Sequence, residues 1–374
     1  MIFWENTSAQ QFSHHVYNEI QKVENNEKLL LEFESFGPKN SGSKGLENTF
    51  WWLYHYYLNL GADYLIIDTF FYNSQENYNL VAGFFGKKNP NKILVSAHYD
   101  TKGGAGVNDN GTGVVACMEI ARLIKHRPLL NGVEFIHFAA EENGLIGSKH
   151  YVQNVLGLKD TNVKFLLNLD QLGGTKGNTD NYKIRCERDE DQPIINDSYS
   201  NIITKKLARS VDLYSNLVPV ISKAYGSDYV PFQKAGYSIT GLYQFSDYPF
   251  YHTEQDLLRN VDAEIHKETI KASYAFLLQE TDSVVLSAPS HAKLSDSHMV
   301  IYPNPTSDIF CLDLPRKIEN AKVLLTNILG ETVLHQSIDR GHPCLDITNI
   351  QEGIFFGVVM DKNGRLGTFK VYKH

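Results

Sequence analysis

The chain has 374 residues, 42% of them hydrophobic, which is enough for a sizeable core and more than one ordinary domain. A formal net charge of -8 argues against nucleic acid as a partner, because affinity for phosphate backbones comes largely from clustered Lys and Arg, and no basic tract occurs. No stretch stays apolar over the ~20 residues that a membrane span needs, and the four cysteines, Cys117, Cys186, Cys311 and Cys344, lack metal-type spacing.

In chain order, Gln11 to Leu31 reads as an amphipathic helix. Thr49 to Leu60 reads as an aromatic one (Phe50, Trp51, Trp52, Tyr54, Tyr56, Tyr57), whose stripe suits core packing better than ligand stacking. The apolar run Lys92-Ile-Leu-Val-Ser-Ala97 delivers His98 and Asp100 at its end. Gly106-Val-Asn-Asp-Asn-Gly-Thr-Gly113 is a glycine-rich turn holding Asp109, and a helical period follows it through Ile124. Val133 to Ala139 leads to Glu141-Glu142, Val163 to Leu169 leads to Asp170, and Ser238 to Phe245 leads through a Pro249 turn to His252. Nearly continuous apolar runs suit strands buried on both faces. Their alternation with helix predicts an α/β fold, a mostly parallel mixed sheet covered by helices on both faces, with ligands gathered beyond the strands' carboxyl ends.

Each acidic or imidazole residue taken alone has an ordinary reading. A histidine at a strand end is usually structural, Glu141-Glu142 can open a helix, and Asn-Asp-Asn-Gly is common turn chemistry. Together they form a set of neutral imidazoles and carboxylates, the chemistry of a catalytic zinc site rather than a closed cysteine cage. Covalent catalysis is disfavoured: no Gly-x-Ser-x-Gly elbow occurs, and Cys117 falls in an apolar helix.

The segment from Leu94 to Tyr151, with Val-Ser-Ala-His98-Tyr-Asp100, Gly-Val-Asn-Asp109-Asn-Gly-Thr-Gly and Phe-Ala-Ala-Glu141-Glu142-Asn-Gly, resembles the co-catalytic zinc aminopeptidases of the bacterial leucyl aminopeptidase and aminopeptidase Y type, in peptidase clan MH. Asn168-Leu-Asp170 and Tyr251-His252-Thr-Glu-Gln-Asp256 continue the resemblance in order, over roughly residues 30 to 285. The resemblance implies the zinc exopeptidase fold, two Zn2+ ions and a peptide or protein substrate. It places His98, Asp109 and Asp170 on one ion and Asp109, Glu142 and His252 on the other, with Asp109 bridging. It makes Asp100 the carboxylate that receives the free N-H of His98, and Glu141 the general base acting on a metal-bridging water.

Two further segments join the resemblance. Phe36-Gly-Pro-Lys39-Asn-Ser-Gly-Ser43 is similar to the family's Gly-Pro-Arg turn, with Lys39 in place of arginine and a structural role implied. Ala224 to Gly236 is similar to its Ser-Asp-His-x-x-Phe segment, with Tyr229 in place of the histidine, and Tyr225 stands where a hydrogen-bond donor to the oxyanion is expected.

After residue 282 the composition shifts to Ser, Ala, Pro and His, and 283–298 reads as a linker between a peptidase domain (1–282) and a small β-sandwich (299–374). Ile301-Tyr-Pro-Asn-Pro305, Asn327-Ile-Leu-Gly330 and Ile350-Gln-Glu-Gly353 resemble the C-terminal sorting domain of type IX secretion. That resemblance implies handling by the type IX secretion machinery and a secreted or cell-surface bacterial protein. Residues 1–10 have no signal-peptide pattern, so the expected Sec signal would lie upstream, with Ser8-Ala9-Gln10 the remnant of a cleavage site. Cys311 and Cys344 share this domain; their pairing is left open.

Aminopeptidase activity leads these readings. A glutaminyl-peptide cyclotransferase with a single zinc has an overlapping residue pattern, a related carboxypeptidase specificity is a further alternative, and a non-catalytic binding ectodomain of the same fold is the third reading.

Overall fold

The structure is a computed structural model describing residues 12–87, 91–156, 160–224, 226–281, 300–313, 321–327, 331–338, 344–361 and 364–374. The expected linker at 283–298 and Tyr225 lie outside the described residues. The chain divides into two units, Met1–Ser287 and Ala288–His374. Among the described residues no helix is long and apolar enough to cross a membrane.

The larger unit begins with α1 (His14–Ile20) and α2 (Glu27–Ser35), not with the single helix expected from Gln11 to Leu31. The break follows the polar run Gln21-Lys-Val-Glu-Asn-Asn26, in which only Val23 keeps the apolar period and is buried. The next helix, α3 (Lys44–Leu60), is capped by the Ser43 hydroxyl, which accepts the Leu46 amide at 3.1 Å, and is ended by Gly61 in the left-handed region. Phe50, Leu53 and Tyr57 enter the core, but Trp51 stays 42% exposed, so the aromatic stripe is only partly core.

The strands β1 (Tyr64–Tyr72) and β2 (Gln75–Phe84) form a hairpin closed by Asn73 and Ser74, both at positive φ, where the two-residue loop matches the strands' twist. Then come β3 (Lys92–His98), α4 (Thr112–Ile124), β4 (Gly132–Phe138), α5 (Ile146–His150), β5 (Val163–Asp170), β6 (Lys183–Arg188), α6 (Asp197–Tyr214), β7 (Val218–Lys223), α7 (Tyr229–Lys234), β8 (Ile239–Gln244) and α8 (Ala263–Thr281). The eight strands form one sheet in the order β1-β2-β4-β3-β5-β8-β6-β7. Pairs β3–β4, β3–β5, β5–β8 and β6–β7 are parallel; β1–β2, β2–β4 and β6–β8 are antiparallel.

Alternate side chains of the central strands feed two cores, as period-2 strands buried on both faces must. Ile93, Val95, Phe135, Phe165 and Leu167 pack with Phe50 of α3, Val114 and Met118 of α4, Leu207 of α6 and Phe276 of α8. Leu94, Ile136, Phe138, Leu166 and Ile239 pack on the other face with Tyr151, Tyr229 and Phe232. The sheet is therefore covered on both faces, and α4 is buried nearly all round.

In the smaller unit, β9 (Val300–Tyr302), β10 (Ile309–Asp313) and β13 (Cys344–Asp346) form one antiparallel sheet. A second contains β11 (Ala321–Thr326), β12 (Thr332–Ile338), β14 (Gly353–Asp361) and β15 (Gly364–Lys373). Phe310, Leu312 and Leu345 from the first share a core with Val323, Leu325, Phe355, Val359 and Val371 from the second, which makes an all-β sandwich. Cys311 and Cys344 sit opposite each other on β10 and β13 and are disulfide-bonded.

Candidate functional site

The predicted ligands all lie beyond the carboxyl ends of parallel strands. His98 ends β3, Asp170 ends β5, Glu141 and Glu142 follow β4, and Asp109 lies in the turn before α4. His252 follows β8. Ala140, Gln171 and His252 take positive φ, sparsely populated for residues with a Cβ; they bend the chain where the side chains converge.

The structure brings five of the predicted residues into two groups that share Asp109. The ligand atoms of His98, Asp109 and Asp170 lie within 4.8 Å of one another, and so do those of Asp109, Glu142 and His252. His98 Nε2 is 3.3 Å from Asp109 Oδ1 and 3.6 Å from Asp170 Oδ1. His252 Nε2 is 3.3 Å from Asp109 Oδ2 and 2.8 Å from Glu142 Oε2. Each oxygen of Asp109 thus addresses a different imidazole. Glu141 belongs to neither group.

Hydrogen bonds fix the surroundings. The Asp100 carboxylate accepts the amides of Glu141 and Glu142 at 3.0 and 3.1 Å. Its distance to His98 Nδ1 is 3.6 Å, whereas the main-chain carbonyl of Asp100 is nearer, at 3.1 Å. His98 Nδ1 therefore donates to the Asp100 carbonyl with the carboxylate expected from sequence close by, which leaves Nε2 facing the aspartates. The Ser227 hydroxyl donates to Asp170 Oδ2 at 2.7 Å and accepts from Asn168 Nδ2 at 2.8 Å. Lys39 is buried; its ammonium donates to the carbonyls of Gly37 and Ala105, both at 2.8 Å, and lies 3.7 Å over the Phe33 ring. Burial pushes that ammonium down to about 7, against the attraction of Asp256 and Glu34.

The site holds more carboxyls than it can ionise unaided. Burial, with the charges of Asp228, Asp170 and Asp100, pushes Glu141 up to about 10, although His98 opposes it. Burial and the Asp109 charge push Glu142 up to about 8. Burial works against the charged form of Asp109 too, but His252 and His98 hold its carboxyl down at about 2. Glu142 Oε1, Asp170 Oδ1 and His252 Nε2 are buried without hydrogen-bond partners, and the 2.8 Å approach of His252 to Glu142 lacks hydrogen-bond geometry. Buried polar atoms rarely go unpaired. An acid-rich, oxygen- and imidazole-lined site with such atoms converging fits divalent cations bound by oxygen and nitrogen.

Sequence reasoning gave no role to Ser227 or Asp228, although both stand in the Ser-Asp segment it singled out. Asp228 is fully buried, and its carboxyl is pushed up to about 7, by burial first, with Asp100 and Asp170 adding and His98 opposing. Tyr229, where the family has histidine, is buried in the core beneath the sheet.

Comparisons with known proteins agree with this architecture. Leupeptin-inactivating enzyme 1 of Streptomyces exfoliatus is 32% identical over 190 residues, 49% of this chain and 39% of that protein. Aminopeptidase YwaD of Bacillus subtilis is 29% identical over 221 residues, 56% of this chain and 46% of that one. The chain therefore spans less than half the length of these curated relatives. The LapA aminopeptidase of Legionella pneumophila, at 20% identity, shares the fold with a TM-score of 0.63 over 75% of this chain and 77% of its own. Residues 300–371 match the secretion system C-terminal sorting domain. Residues 79–277, just over half of the chain, match peptidase family M28, and the chain belongs to that family.

Proposed function

We propose that the protein is a zinc-dependent aminopeptidase that removes N-terminal residues from peptides. One observation carries the reading: two groups of converging ligand atoms share Asp109, while Glu141 stands beside them outside both. His98, Asp109 and Asp170 would hold one ion, and Asp109, Glu142 and His252 the other. When bound, such a pair would polarise the scissile carbonyl and make water a stronger acid.

The chain's own residues do the rest. The Asp100 carboxylate fixes the Glu141 main chain, so the Glu141 carboxylate is held where a water can approach it. The charge of bound cations would oppose the burial that raises Glu141, and its carboxylate would then take a proton from the attacking water as the oxygen bonds to the carbonyl carbon. It passes that proton to the departing nitrogen as the C–N bond breaks. Both ligand groups are complete, which favours this reading over a cyclase with a single ion.

Residues 300–371 would serve as the handle for the type IX secretion machinery, which makes the protein secreted or displayed at the cell surface. Mass spectrometry of exported protein tests this: export of the full chain but not of a chain lacking residues 300–371 supports it, and export of the tail-deleted chain refutes it.

The activity is tested with zinc-loaded protein on leucine p-nitroanilide, its N-acetylated form, a peptide with N-terminal glutamine and a C-terminally probed peptide. Chelator-sensitive cleavage that needs the free amine is expected. Pyroglutamate formation without hydrolysis, or release from the C-terminus, would overturn the reading.

A further inference from the structure

We propose that Asp256 is a positioning residue, a buried carboxylate that ties the turn carrying His252 to the turn carrying Asp109 and so sets the spacing of those two residues within the group they share with Glu142. The inference rests on the metal reading of the site.

Asp256 is 1% exposed, and its carboxylate accepts from three donors. Its Oδ1 receives the amide of Asn108 at 2.8 Å and the Tyr248 hydroxyl at 2.9 Å, and its Oδ2 receives the amide of Asp109 at 3.0 Å. Its main-chain carbonyl accepts the Val107 amide at 3.3 Å, and its own amide closes the His252 turn by donating to the Thr253 carbonyl at 3.2 Å. Four bonds therefore run from one residue of the His252 turn: three into consecutive residues of the Asp109 turn, and one to Tyr248.

Main chain also packs closely against the His252 turn. A Cβ at Gly103 would lie 2.1 Å from the His252 carbonyl oxygen, and one at Gly104 would lie 2.3 Å from that of Thr253. With this packing and those bonds, His252 cannot shift without breaking bonds to the segment that carries Asp109. The chemistry demands a carboxylate. Two converging N-H groups need an acceptor at each, and an asparagine would turn its own NH2 against one of them.

The test compares wild type, Asp256→Asn and Tyr248→Phe, each stripped of metal and titrated with zinc against a chromophoric chelator, with cobalt absorption spectra and separate kcat and KM values. Wild type should take up two ions. Asp256→Asn should bind one of the two at least about tenfold more weakly, with an altered cobalt spectrum and a kcat that falls while KM holds. Tyr248→Phe, which removes one donor and keeps the carboxylate, should show the same change more weakly, and it decides the matter if Asp256→Asn does not fold. Wild-type uptake of two ions together with unchanged affinities and spectra in the variants would overturn the inference alone. Failure of wild type to take up zinc would overturn the metal reading, and the inference with it.

Discussion

Asp100 Oδ1 accepts the main-chain amide of Glu141 at 3.0 Å, a bond that joins the end of β3 to the loop after β4. The other oxygen takes the Glu142 amide at 3.1 Å, and the Asp100 carbonyl faces His98 Nδ1 at 3.1 Å. One residue thereby aligns the proposed base Glu141 and the proposed ligand Glu142 from one strand end with His98 from the next. Asp100→Asn keeps the volume but can accept only one of the two amides. Its kcat/KM should fall about 10- to 100-fold, with zinc affinity falling alongside. Steady-state rates and a chelator competition check this, and wild-type values in both would refute the role.

Glu141 lies outside both ligand groups, so its removal should separate chemistry from metal uptake. Glu141→Gln preserves shape and hydrogen bonding while abolishing the proton acceptor. We expect kcat to fall by about two to four orders of magnitude, with the zinc content of wild type. A variant that retained wild-type turnover would remove Glu141 from the mechanism.

Four of the five proposed ligands were legible in the sequence because each follows an apolar run whose end a parallel sheet turns into a site, and Asp109 was legible through its glycine-rich turn. Their order and the surrounding motifs carried the rest. What stayed hidden depends on contacts between distant segments or on turns without the usual residues. The β1–β2 hairpin closes through Asn73-Ser74 and lacks the glycine that normally announces such a turn. β6 inserts between β8 and β7 and runs antiparallel to β8, a placement no local pattern encodes. Val23 continues the apolar spacing across the gap between α1 and α2, so two helices read as one. Ser227 acts through Asp170, and Asp256 through the amides of Asn108 and Asp109; both gain their roles only once strands from separate parts of the chain are adjacent.

The disulfide between Cys311 and Cys344 closes a separation of 33 residues within the smaller unit. Restricting the unfolded chain over a loop of that length contributes roughly 4 kcal/mol in the chain-entropy account. The double variant Cys311→Ser, Cys344→Ser should therefore lower the denaturant midpoint of this unit. Limited proteolysis should cut it faster, as it should the wild type under reductant. Equal resistance in the variant and the wild type would show that the bond adds little.

Acid should weaken the larger unit through histidines that have no room for a charge. His266 on α8 is buried, with Nε2 2.9 Å from the Thr112 carbonyl at the start of α4. Burial lowers its pKa to about 4, the Thr112 bond opposing, and burial lowers that of His137 to about 3. Between about 4 and the ordinary 6.5, the unfolded chain binds a proton at His266 that the folded chain refuses. Stability is therefore intact above 6.5 and is lost as the pH falls towards 4, by roughly 3 kcal/mol for this residue at ~1.4 kcal/mol per unit. His266→Gln keeps a donor for Thr112 but cannot take up the proton. Denaturant unfolding at pH 7 and at pH 4 should show a fall in wild type that exceeds the fall in the variant by about that amount, since all other groups titrate alike in the two proteins. Parallel losses would mean that His266 takes up its proton as readily in the folded chain as in the unfolded one, and would refute the lowered pKa.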